Sequence, residues 1–321
     1  MTQGRILGFD LTRVVSIFVV IGIYHNLAYA GFGFSEAPFV LSLVYSSLGS
    51  FTFLSAYLLS SKYKFTNKEE IVTFYKKRVL RIWPLFAFSS IALWLIHFNQ
   101  LIPTLKGLVG LSPFWAPAPI TMWYVAMLIS LYVLTPFVVR GPLKVQLLKA
   151  VMVMTIVGGI QLAFGSVVPK TFNYYMVYLI GLILGANFKE KTMAFLSSKK
   201  TLVVSCMWMI LFVIVFKTAN PVLKSLTGVL GIIAIINLSI IITPKIREHS
   251  FLEKSITFLA YSSFCAYLFH REVIWALLHF RFSDNGWPIF FEVLIIGVPL
   301  TFIFAYIVQR IYDNVLHRLK N

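Results

Sequence analysis

His25 is the first residue in this chain that raises a chemical question. It stands in IGIYHNLAY, within the first long apolar stretch, where an ionisable side chain costs several kcal/mol unless it is partnered or used. An imidazole there can bond a neighbouring helix, or it can take a proton from a hydroxyl, for which its near-neutral pKa suits it. The residue alone leaves both open. Arg78 and Arg81 form an R-x-x-R just before Trp83 and Pro84. Spacing of three puts both guanidinium groups on one helix face, a fork suited to phosphate or pyrophosphate, though basic residues at the inner end of a span also follow from membrane insertion alone. His270, Arg271 and Glu272 stand together in AYLFHREVI, again inside an apolar run; mutual pairing or an early helix end would also account for them. Ser55 in FTFLSAYLL, Trp123 and Tyr124 in TMWYVAML, and Tyr132 complete the set. Ser55 can instead bond back to a carbonyl of its own helix, and the Trp–Tyr pair can belong to an interfacial aromatic belt.

Other chemistries lack their signatures. The chain has no H-E-x-x-H, G-x-S-x-G, P-loop or Cys/His cluster, so no metal site is expected. Cys206 and Cys265 each lie in an apolar segment, which supports neither a disulfide framework nor a thiolate site. The net charge of +17 would suggest nucleic acid in a soluble protein, but the basic residues sit in short loops between apolar runs, where they report membrane topology and not a nucleic-acid partner.

The elements that must position these residues are membrane helices. Of 321 residues 59% are hydrophobic and only 12% charged, more apolar surface than a soluble fold of this length can cover. Apolar runs fall near 9–30, 39–60, 82–98, 121–139, 150–168, 172–188, 201–216, 225–243, 256–279 and 289–311. The expected fold is therefore an all-α polytopic membrane protein of about ten transmembrane helices, a single domain over 1–321 without a cleaved signal, internal repeat or extramembrane domain. With the N-terminus inside, the inner side collects 22 of the 28 Lys and Arg and the outer side 6, which places both termini in the cytoplasm. His25 then lies about 20 Å from the inner surface, beyond the midplane. The segment KEEIVTFYKKRVLRIW reads as a helix lying on the inner surface ahead of the third span.

In this arrangement the chain resembles membrane acyltransferase family 3, integral-membrane O-acyltransferases. FDLTRVVSIFVVIGIYH (9–25) resembles that family's opening aspartate, arginine and histidine, and FTFLSAYLL (51–59) its Ser-containing second helix, with Ala56 where glycine is usual. YKKRVLRIWP (75–84) is similar to its R-x-x-R-x-x-P, TMWYVAMLISLYVLTP (121–136) to its Trp–Tyr–Pro helix, and SSFCAYLFH (262–270) to its late Tyr-x-x-His. One departure has a geometric consequence. The family usually places ten residues between the basic residue and the histidine, and here eleven separate Arg13 from His25. Eleven helical positions leave two residues about 20° apart, whereas twelve leave them about 120° apart. The extra residue predicts either a π-bulge between 14 and 24, near Gly22, or an Arg13 that no longer takes part.

The resemblance implies transfer of an acyl group, usually acetyl, from cytoplasmic acyl-CoA to a hydroxyl of a cell-surface glycan or its lipid-linked precursor, in a multi-pass protein of the cell membrane. It implies His25 as the catalytic residue with Asp10 and Arg13, and Arg78, Arg81 and Lys77 as the grip on CoA. Ser55, Trp123, Tyr132, His270 and Glu272 would line the substrate cavity. No bound cofactor is expected, acyl-CoA being a co-substrate. Membrane lipids are further partners, and a homo-oligomer is compatible with the sequence. The alternatives are a glycan transporter or flippase using the same cavity without chemistry, and a non-catalytic assembly partner that would need neither His25 nor the arginine pair.

Overall fold

The computed structural model describes residues 6–163, 169–218, 221–280 and 286–318, and all regular structure among them is helical. In chain order the helices are α1 (Leu7–Tyr29), α2 (Pro38–Lys62), α3 (Lys68–Leu95), α4 (Leu101–Leu108), α5 (Trp123–Val139) and α6 (Leu143–Ala163). There follow α7 (Pro169–Asn187), α8 (Lys189–Ser197), α9 (Leu202–Lys217), α10 (Pro221–Arg247), α11 (Ser250–His279) and α12 (Trp287–Arg318). Each apolar run of the sequence lies on one of them, residues 164–168 of the fifth run falling outside the described residues.

Six are long and apolar enough to cross a membrane: α1, α2, α3, α6, α12 and the stretch Leu226–Arg247 of α10. α8 and α9, bent by 65° to each other, make a seventh if taken as one broken span. The protein is thus a multi-pass α-helical membrane protein, a state in which intra-helix hydrogen bonds satisfy the backbone that lipid cannot.

One expectation changes. The charged segment before the third span is no separate surface helix: Lys68–Leu95 is one helix, continuous through Pro84. Its start is dictated locally. Asn67 caps it by accepting from the Glu70 amide at 2.8 Å, and the Glu70 carboxylate reaches back to the amides of Thr66 at 2.9 Å and Lys64 at 3.1 Å. The Asn67 cap satisfies one of the amide donors that helix geometry leaves open at the first turn, and the Glu70 carboxylate ties the chain that approaches the helix to its start.

The chain forms two compact units, residues 1–51 with 193–321 and residues 52–192, the first boundary falling within α2. In the first unit α1 packs against α10 and α11, and α11 against α12. Small residues let the backbones approach: a Cβ on Gly8 of α1 would stand 2.9 Å from the Ile240 Cα of α10. In the second unit the same device joins α2 to α7. Gly181 and Gly185, a G-x-x-x-G pair, face Ala56, Ser60 and the carbonyls of Phe53 and Tyr57, the small-residue contact by which helices associate in lipid. Hydroxyl pairs supplement it, Ser130 with Tyr175 at 2.5 Å and Thr135 with Tyr178 at 2.6 Å between α5 and α7.

Candidate functional site

Of the two outcomes that the spacing allows for the extra residue between Arg13 and His25, the helix shows the bulge. Val19–His25 is a π-helical segment within α1. Such a segment takes up one inserted residue, about 100° of excess rotation, and returns the helix to its former faces. Gly22 lies within it, and a Cβ there would come 3.0 Å from the Phe18 ring, so the widened turn closes over a position that only hydrogen fills without displacing that ring.

His25 ends the π segment and is 7% exposed, while its neighbour His270 on α11 is wholly buried. The two rings are perpendicular with centroids 4.8 Å apart, and His25 Nδ1 lies 3.4 Å from His270 Nε2. His270 Nδ1 lies 2.8 Å from the carbonyl oxygen of Tyr267, one helical turn earlier. The rings of Tyr24 and Tyr29 flank His25, at 5.0 and 6.5 Å between centroids. Arg271 donates to the Tyr29 hydroxyl at 3.4 Å and sits 5.7 Å from its ring centre, and Glu272 is half-buried next to it in the chain. The residue after His25 fastens the segment: the Asn26 amide donates to the Gly22 carbonyl at 3.3 Å and to the Phe290 carbonyl of α12 at 3.0 Å. Phe290 lies three residues before a second π segment, Val293–Gly297.

Asp10 and Arg13 meet each other. Arg13 donates to the buried Asp10 carboxylate at 3.0 Å. Along the helix axis Arg13 stands about 18 Å from His25, at twelve positions of about 1.5 Å, and Asp10 about 22 Å, at fifteen. The pair fixes the first turns of α1, and the group touching His25 is His270.

In the second unit three residues singled out separately come together. The Ser55 hydroxyl of α2 and the Tyr132 hydroxyl of α5 are 2.6 Å apart. The guanidinium of Arg78 on α3 lies 6.0 Å from the Tyr132 ring centre and 5.9 Å from that of Phe74. The Arg78 Nε is buried without a hydrogen-bond partner, a cost that an incoming acceptor would remove. Arg81 and Lys77 are exposed on the same helix. Trp123 stands apart from this group: it is nine positions, about 13 Å, from Tyr132 along α5, against Tyr124 and Tyr174. Among the described residues no cluster of three or more His, Cys, Asp or Glu side chains forms a metal site.

Sequence reasoning passed over Tyr29 and Asn26. Both carried a signal, Tyr29 by lying four residues from His25 on the same helical face and Asn26 by being an amide inside an apolar run.

No curated protein and no solved structure matches this chain. A family model described as an acyltransferase domain does, over residues 6–310. That match spans both units and every residue placed above, and by it the chain belongs to acyltransferase family 3, the membrane acyltransferases.

Proposed function

We propose that this protein is an integral-membrane O-acyltransferase that moves an acyl group, acetyl before succinyl, from cytoplasmic acyl-CoA to a hydroxyl of a cell-surface glycan or its lipid-linked precursor. The observation that carries the reading is His25 itself: a neighbouring imidazole engages one ring nitrogen at 3.4 Å, and the residue keeps 7% exposure, in a chain matched to an acyltransferase family over residues 6–310. A ring nitrogen left bare takes the proton of the acceptor hydroxyl as its oxygen attacks the thioester carbonyl. The carbon–sulfur bond then breaks and the departing CoA sulfur recovers the proton. The same nitrogen is also the atom that would bear the acyl group if transfer ran through His25 as a carrier.

In this reading Arg78, Arg81 and Lys77 hold the phosphates of CoA, Asp10 orients Arg13, and Ser55, Tyr132, Trp123 and Glu272 serve the substrate, with His270 behind His25. Ten helices span the plasma membrane with both termini in the cytoplasm, in keeping with the 22 to 6 distribution of Lys and Arg.

The test is transfer of label from radiolabelled acetyl-CoA, then succinyl-CoA, to cellular glycans in membranes carrying wild type, His25→Ala or Arg81→Ala at matched expression. Incorporation by the wild type that is lost in His25→Ala and weakened in Arg81→Ala is the expected result. A wild type that transfers neither group while still altering glycan export would replace this reading with that of a transporter.

A further inference from the structure

We infer that His270 sets the tautomer of His25, and that Nε2 of His25 is the nitrogen that meets the substrate. The inference rests on the proposed acyl transfer at His25 and deepens it by naming the reacting atom and a positioning residue.

The argument runs from one hydrogen bond to the next. A carbonyl oxygen can only accept, so the His270 Nδ1 that lies 2.8 Å from the Tyr267 oxygen carries a proton. Turning the ring over would set a carbon against that oxygen and another against His25, losing both contacts, so the two partners together fix its orientation. His270 is wholly buried, and a second proton would put an added cation there, beside Arg271 in the chain, with no carboxylate bonded to it. His270 is therefore neutral, with Nδ1 protonated and Nε2 bare.

A bare nitrogen can only accept. The atom it faces at 3.4 Å is His25 Nδ1, which must then be the protonated nitrogen of His25. The neutral imidazole has one N–H, so its Nε2 is left with a free lone pair. Exposure agrees with this division of roles: His25 keeps 7% and His270 none, so only His25 can touch an acceptor. The Tyr267 carbonyl, the His270 ring and the His25 ring form a relay of orientation in which no proton needs to move. A carboxylate holds a catalytic histidine in one tautomer by the same logic in Ser-His-Asp triads; here a second histidine, itself held by a backbone carbonyl, takes that place.

The test compares His270→Leu with His270→Gln in the full-length protein, in membranes and after extraction. Leu removes the acceptor facing His25 Nδ1–H, and Gln can supply one through its amide oxygen. His270→Leu is expected to lower kcat by about 10²-fold or more, the scale of a lost general base, with the KM for acyl-CoA little changed, and His270→Gln is expected to recover most of that loss. Two variants equal to wild type, or two folded variants equally inactive, would overturn the assignment. If both misfold, wild-type protein labelled with ¹⁵N-histidine decides. The His25 signals, identified among the 6 histidines by their loss in His25→Gln, should show Nδ1 protonated and Nε2 bare, and the reverse overturns the inference. That spectrum needs no turnover. A wild type with the stated tautomer but no acyl transfer would therefore refute the proposed function and leave the histidine pairing standing.

Discussion

Removing Ile23 should do less harm to this protein than removing almost any other residue of α1. An α-helix turns about 100° per residue, so the twelve positions from Arg13 to His25 would overshoot three turns by about 120° in regular helix. The π segment Val19–His25 absorbs one residue of that excess. Deleting half-exposed Ile23 leaves eleven positions, about 20° past three turns, so an unbroken α-helix would keep both ends on their present faces. Deleting Val15 also leaves eleven positions, but closing the bulge then turns Ser16, Ile17 and Phe18, which lie between the deletion and the π segment, by about 100° off their present faces. Ser16 and Ile17 are wholly buried, and Ile17 alone represents about 1.5–3 kcal/mol of burial. The assay is thermal unfolding of both deletions and wild type in one detergent, with yield of monodisperse protein as the second readout. The Ile23 deletion should melt close to wild type and the Val15 deletion far below it or not be recoverable. Equal destabilisation of the two, or greater damage from losing Ile23, would refute the idea that the bulge stores one dispensable residue. A well-folded Ile23 deletion without acyl transfer would assign the bulge to the aim of the His25 ring.

Other substitutions test other joints. Gly185→Ala, whose Cβ would meet Ser60 and the Tyr57 carbonyl, should cost about 1–3 kcal/mol by overpacking; Gly159→Ala, with nothing within 4 Å, should gain up to about 1 kcal/mol from helix propensity, and thermal unfolding reads both. Asn26→Leu leaves the Phe290 carbonyl without its 3.0 Å donor and should cost about 1–2 kcal/mol, seen as a lower melting point. Arg81→Ala should raise the KM for acyl-CoA by about 10-fold at nearly constant kcat, the signature of a binding contact, and steady-state kinetics over donor concentration would show it.

The helices were legible because long apolar runs have few other structures to adopt in lipid, and the π segment was legible because a one-residue excess on a helix is arithmetic. Where α3 begins was misjudged because a charged amphipathic segment looks alike whether it lies on a surface or extends a span; the Asn67–Glu70 cap and the passage through Pro84 decide for extension. The partner of His25 was hidden for a different reason. His270 is 245 residues away, and no periodicity reports a contact at that separation. The same holds for Ser55, Tyr132 and Arg78, each readable as a polar residue in or beside a span but brought together only by the packing of α2, α3 and α5. Gly181 and Gly185 fall inside the apolar run 172–188, and the partner helix that their four-residue spacing meets is set by packing that no local pattern reports.

The continuity of α3 gives it the mechanics of a lever. At 28 residues the rod is about 42 Å long, and it is held to α5 near one end, where the Tyr75 hydroxyl donates to the Val133 carbonyl at 2.7 Å and Arg78 lies over Tyr132. From Tyr75 the short arm to Lys68 is about 10 Å and the long arm to Leu95 about 30 Å. The long arm has an anchor of its own, the Trp83 indole donating to the Leu108 carbonyl at 3.1 Å, so a push on the charged end meets a second hold before it can sweep the apolar end by the threefold ratio of the arms.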